Sequence, residues 1–75
     1  MLEAPITRRP VDSTHLASVG YVPETSILEV EFRNGSIYRY FMVPESTVER
    51  LLAADSVGAV FNREIRPRHR FTRHG

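Results

Sequence analysis

The stretch ILEVEFRNGSIYRY, residues 27 to 40, constrains the fold more than any other part of the chain. Leu28, Val30 and Phe32 alternate with Glu29, Glu31 and Arg33, the period of two that gives a β-strand one dry and one wet side. Asn34 and Gly35 follow. Both residues tolerate positive φ, so the chain is expected to turn back on itself here as a hairpin.

The register of that hairpin decides the role of Tyr38 and Tyr40. With a two-residue loop, Phe32 faces Ile37, Val30 faces Arg39 and Leu28 faces Phe41, and both tyrosines join the glutamates as an exposed platform. With a three-residue loop, Gly35 takes the left-handed conformation and makes a bulge. Val30 then faces Tyr38, Leu28 faces Tyr40, and Arg39 sits opposite Glu29. A one-residue slip moves every side chain to the other face, so the two registers exclude each other. The second is favoured, because it keeps an arginine off the dry face and pairs Glu29 with Arg39 across the strands.

Upstream, HLASVGY alternates Ala17, Val19 and Tyr21 as a first strand, and a proline-led turn separates it from the hairpin. Downstream, Val48, Leu51 and Leu52 fall at helical spacing after Pro44, which suits a first helical turn, while Ser46 and Glu49 offer a capping box as an alternative start. Ser56 or Asp55 caps a second short helix with Val57, Val60, Phe61 and Ile65 inward. Gly58 lowers its helix propensity, and a close backbone approach would account for it. Strands first and helices after define an α+β domain. The expected architecture is an antiparallel three-stranded β-meander, two short helices packed on one face and a basic C-terminal tail. Residues 1–12 are expected to form a flexible arm, 13–71 the domain and 72–75 the tail.

Seventy-five residues leave room for one small core. The chain contains no cysteine, so neither a disulfide framework nor a thiolate metal site is available, and a reducing setting, the cytoplasm, is expected. No apolar run approaches the roughly 20 residues that cross a bilayer, and the first ten residues lack a secretory signal, so no membrane partner is expected. All ten basic residues other than histidine are arginine. They are unevenly matched by acids: REIRPRHRFTRHG carries roughly +4, against about −3 on the rest of the chain.

Catalysis has little to work with. No lysine or cysteine is present, and neither Ser13 with His15 nor Ser56 stands in a nucleophile motif. His69 and His74 lack further ligands for a metal, Asp12, Asp55 and Glu64 are not paired, and the four glycines are too dispersed for a phosphate loop. The expectation is therefore a protein that is not an enzyme and uses no cofactor or metal. What remains is the basic end. Arg63, Arg66, Arg68, Arg70 and Arg73, with Arg39 on the wet face of the sheet, could follow a phosphate backbone while Phe71 or a tyrosine stacks a base. The plain alternative is a solvated tail.

In order, STHLASVGY, LEVEFRNGSIYRY and VPESTVERLLAADSVGAVFNREIR resemble the KTSC domain, across roughly residues 11 to 71. The resemblance rests on Tyr38-x-Tyr40, the hairpin residues Phe32, Asn34 and Gly35, Val43-Pro44, Ser56-x-Gly58, Phe61-Asn62 and Ile65-Arg66. The family takes its name from a place at the C-terminus of some lysyl-tRNA synthetases, and it also occurs as free-standing small bacterial proteins. It assigns no catalytic residue, and its motif residues are expected to be structural. Through the synthetase association, the resemblance implies a small binding module with RNA as its partner. The alternative is a module for protein interaction or self-association, in which an edge strand or the N-terminal arm completes a neighbour's sheet.

Overall fold

Alternation in the sequence becomes one antiparallel sheet. In the computed structural model, which describes residues 5–75, five strands are hydrogen-bonded in sequence order: β1 (Arg9–Pro10), β2 (Leu16–Val22), β3 (Ile27–Phe32), β4 (Ile37–Tyr40) and β5 (Phe71–Arg73). Between β4 and β5 come α1 (Glu45–Ala53), α2 (Val57–Val60) and a π-helical turn, Phe61–Ile65. The expected three-stranded meander is thus the middle of a five-stranded sheet. Part of the expected arm pairs with β2, and residues expected to end the domain and begin a solvated tail pair with β4. Residues 1–4 of that arm lie outside the described residues. Two- and three-residue strands are too short to show a period, and their partners supply the pairing that local sequence does not.

The hairpin takes the three-residue register. Leu28 stands opposite Tyr40, Glu29 opposite Arg39 and Val30 opposite Tyr38. Gly35 has φ +91°, and its N–H donates to the Phe32 carbonyl oxygen at 2.9 Å. Asn34 closes the turn: its Oδ1 accepts from the Ser36 N–H at 3.0 Å and from Ser36 Oγ at 2.6 Å. A second irregularity lies between Leu16 and Ser18. It turns Leu16 into the core where alternation had placed Ala17, while Val19 and Tyr21 keep their expected face opposite Val30 and Leu28.

The helical segments cover the face that carries Leu28, Val30 and Tyr40. Pro44 precedes the first helical residue with φ −66° and ψ 150°, and its carbonyl oxygen accepts from the N–H groups of Thr47 and Val48. The start at Pro44 is therefore the one adopted, and no side chain caps it. Ser56 caps α2 by accepting from the Ala59 N–H at 3.3 Å. From there Val57, Val60, Phe61 and Ile65 are buried, as their spacing implies.

The opposite face is covered by the chain before β1. A Cβ at Gly20 would lie 2.3 Å from the Thr7 carbonyl oxygen, whereas one at Gly58 would meet only Ser13 Oγ, at 3.4 Å. The close backbone approach expected at Gly58 is found at Gly20.

Candidate functional site: an arginine-rimmed aromatic cleft

Five rings collect where β4, β5 and the π turn meet. Tyr40 lies edge-on to Phe61 with centroids 5.3 Å apart, Phe32 edge-on to Phe61 at 5.6 Å and to Tyr38 at 5.5 Å. Phe71 leans over both tyrosines, at 5.4 Å from Tyr38 and 5.7 Å from Tyr40. Its register explains the contact: β5 pairs with β4 so that Phe71 faces Tyr40 and Arg73 faces Tyr38, on the helix side of the sheet. The ring of Phe71 remains 55% exposed. Edge-to-face pairs of this kind hold the rings in fixed planes, with about 0.5–1.5 kcal/mol per pair beyond area burial.

These rings form the floor of a cleft of about 550 Å³. Its volume falls within the usual range for small-ligand sites. The polar lining is His15, Arg33, Asn34, Ser36, Asn62 and Arg66, and among the described residues no aspartate or glutamate lines it. Arg33 comes from the hairpin turn, tied by Nε to the Ser13 carbonyl oxygen at 3.1 Å. Asn62 and Arg66 come from the π turn, whose wide pitch is marked by the Arg66 N–H donating to the Phe61 carbonyl oxygen at 2.9 Å. Phe61 and Ile65 point into the core, and Asn62 and Arg66, one residue further round, are exposed. Burial raises the Tyr40 phenol above its ordinary pKa of 10.0, while the nearby Arg66 charge acts in the lowering direction. Beside the cleft, the Arg73 guanidinium lies 6.0 Å from the Tyr38 ring centroid.

The cleft continues past Phe71 into a shallow groove lined by Pro67, Arg68, His69 and Arg70. His69 holds this segment down through Nδ1, which donates to the Phe41 carbonyl oxygen at 3.0 Å. Arg68 and Arg70 are exposed. On the other side, a polar hollow carries Asp12 and Asp55.

The sequence candidates thus divide. Arg66, Arg68, Arg70 and Arg73 gather along one edge of the sheet with Phe71. Arg63 is exposed, with Nη2 3.3 Å from Glu64. Hydrogen bonds from Arg50 and Arg63 hold the Glu64 carboxyl below its usual pKa. Arg39 lies on the opposite face, where its Nε donates to the buried Glu29 at 2.8 Å and Arg8 grips the other carboxylate oxygen. Phe32, Asn34, Tyr38 and Tyr40 line the cleft, whereas Gly35 and Pro44 shape the turn and the helix start. In the sequence His15 stands out only as a partner for Ser13 and Arg33 only as a wet-face residue, and neither marks a binding site. They reach the cleft because the Arg33 N–H donates to the His15 carbonyl oxygen at 2.8 Å, which fixes the hairpin tip against the start of β2.

Among the described residues, no group of three or more histidine, aspartate or glutamate side chains could hold a metal ion. No described helix is long and apolar enough to cross a membrane. Fold and site together define a small α+β domain with one antiparallel sheet and an aromatic cleft rimmed by cations and amides. The chain belongs to the KTSC domain family, whose model matches residues 12–71. A solved structure of the KTSC domain protein YPO2434 from Yersinia pestis is similar, with a TM-score of 0.88 and 33% identity, covering 95% of this chain and 100% of that one. An uncharacterized protein of Stutzerimonas stutzeri is 50% identical over 62 residues, 83% of this chain and 87% of that protein. A lysine–tRNA ligase of Nostoc punctiforme is 43% identical over 51 residues, which is 68% of this chain and 9% of the ligase. The domain therefore also occurs as a small part of a much longer protein.

Proposed function

We propose that this KTSC domain is a non-enzymatic module that binds single-stranded RNA. The observation that carries the reading is the cleft itself: a floor of aromatic rings, a rim of arginine and amide groups, and no carboxylate among the described residues of its lining. Stacking on rings with arginines along the backbone is how single strands are held without a duplex. The strand would enter the cleft beside Arg66, cross the exposed ring of Phe71 and leave along Arg68 and Arg70. The carboxylates of Asp12 and Asp55 disfavour the other exit. A related segment within a lysine–tRNA ligase is in keeping with an RNA partner. Self-association finds less support, because the outer strands β1 and β5 are only two and three residues long and carry arginines, which makes them poor templates for strand addition.

Fluorescence anisotropy of a labelled single-stranded RNA tests this. With about three phosphates neutralised, log affinity should fall with log salt at a slope near −2, or roughly 20-fold between 50 and 200 mM salt. Arg66→Ala with Arg68→Ala should reduce both the affinity and the slope. Truncation after Ile65 is a poor control, since it removes β5 and uncovers Tyr38 and Tyr40. Unchanged affinity in the double variant at fixed salt would remove these arginines from the interface.

A further inference from the structure

The hydrogen-bonding character of the cleft goes further than its charge. Asn34 Oδ1 is occupied twice by Ser36, and one of those donors is a backbone N–H, which fixes the orientation of the amide. What Asn34 has left to offer is its NH2 group. Asn62 Oδ1 accepts from Arg66 Nη1 at 3.5 Å, which leaves its NH2 as well. Arg33 uses Nε and Nη2 on the carbonyl oxygens of Ser13 and Val11, so its Nη1 stays free. Arg66 has donors to spare. Four side chains around one aromatic floor thus present N–H groups, and the Asn34 acceptor is already taken.

We propose that this cleft takes one unpaired nucleotide and prefers a base with a carbonyl oxygen at C4 of a pyrimidine or C6 of a purine, uracil or guanine, over cytosine or adenine, which carry an amino group there. The inference rests on the RNA-binding reading and specifies its ligand. Carbonyl oxygens of uracil, or O6 and N7 of guanine, accept from amide and guanidinium donors. The exocyclic amino group of adenine or cytosine, directed at the same donors, leaves both sides without a partner. Phe71 and Tyr38 supply the stacking surface, and Arg66 lies within the same lining to meet the phosphate. Stacking alone orders the bases the other way, since adenine has the larger ring system. A preference for uracil over adenine therefore isolates the hydrogen-bonding contribution.

The test is anisotropy of labelled eight-nucleotide homopolymers of uridine, adenosine and cytidine at one fixed salt concentration, with the full chain and with Asn34→Asp. That substitution keeps an oxygen for Ser36 and suits the turn, but replaces the free NH2 by an acceptor. We expect the uridine oligomer to bind about 5- to 100-fold more tightly than the adenosine oligomer. In Asn34→Asp the added negative charge weakens all three, and the ratio of uridine to adenosine affinity collapses toward one. Equal, salt-dependent binding of all three oligomers, or tighter binding of adenosine, overturns the base preference while leaving RNA binding intact. A uridine preference that survives Asn34→Asp overturns the role assigned to Asn34. No binding of any oligomer at 20–50 mM salt overturns the RNA reading and the preference together.

Discussion

Gly20→Ala is a substitution whose cost should depend on a segment distant in sequence. Gly20 stands in β2 opposite Glu29, on the face away from the helices. A methyl group there would sit 2.3 Å from the Thr7 carbonyl oxygen and 2.8 Å from Ile6 Cγ2. Thr7 is backbone and cannot swing aside like the end of a side chain, so it must retreat by roughly 1 Å. That movement pulls on the Arg8–Glu29 ion pair and on the pairing of Arg9 with Val19 and Pro10 with Ser18. Overpacking of this kind costs about 1–3 kcal/mol. The opposing gain from a less flexible unfolded chain is about 0.4–1 kcal/mol. Taken at the midpoints of these ranges the net loss is about 1.3 kcal/mol, and each kcal/mol lowers Tm by roughly 4–8 °C in a domain of this size. Urea unfolding followed by circular dichroism measures it. Hydrogen exchange at the Val11 amide, which donates to the Ala17 carbonyl oxygen at 3.1 Å, reports whether β1 has lifted. The decisive arm repeats the substitution in a chain lacking residues 1–8, where the clash is gone and Gly20→Ala should be neutral or slightly stabilising. The same loss in both backgrounds, or none in the full chain, would refute the steric argument.

Two further outcomes follow from the outer face and from the cleft floor. Arg39→Met should cost about 1–3 kcal/mol in urea unfolding, because it removes a charge-assisted hydrogen bond to the buried Glu29 while Arg8 continues to hold that carboxylate. The same variant should leave RNA affinity and its salt slope unchanged, since Arg39 and the cleft lie on opposite faces. For Tyr40, burial raises the folded-state pKa above 10.0, so the unfolded chain loses its proton first as pH rises. The associated stability is fully present below pH 10 and is lost as pH climbs from there through the folded pKa. Tyr40→Phe should flatten that alkaline limb in a plot of Tm against pH, measured beside the phenolate absorbance of the parent chain.

Much of this architecture is legible in the sequence because local costs point the same way as the fold. The register of the central hairpin could be read because the alternative puts Arg39 on the dry face, and Gly35 supplies the positive φ that the longer loop needs. Ser56 and the spacing of Val57, Val60, Phe61 and Ile65 likewise carry the second helix. What could not be read is non-local. β5 contains one apolar residue in three, and nothing in Phe71-Thr72-Arg73 distinguishes a strand from a charged tail until β4 is beside it. The Leu16–Ser18 irregularity and the π turn each shift a side chain by one position, with no residue type that announces it.

These unread elements bear directly on the tyrosines. Pairing with β3 puts Tyr38 and Tyr40 on the core face, which by itself argues for a structural role. β5 then extends that face beyond the helices, and the π turn sets Asn62 and Arg66 above it. A buried pair of rings thereby becomes the floor of an open cleft. Core packing and ligand contact are therefore not competing assignments for the Tyr38-x-Tyr40 motif. Tyr40, at 3% exposure, anchors the sheet to Phe61, and the half-buried Tyr38 carries the same surface outward to Phe71 and Arg73. Substitution at Tyr40 should accordingly register first in stability, and substitution at Phe71 first in binding.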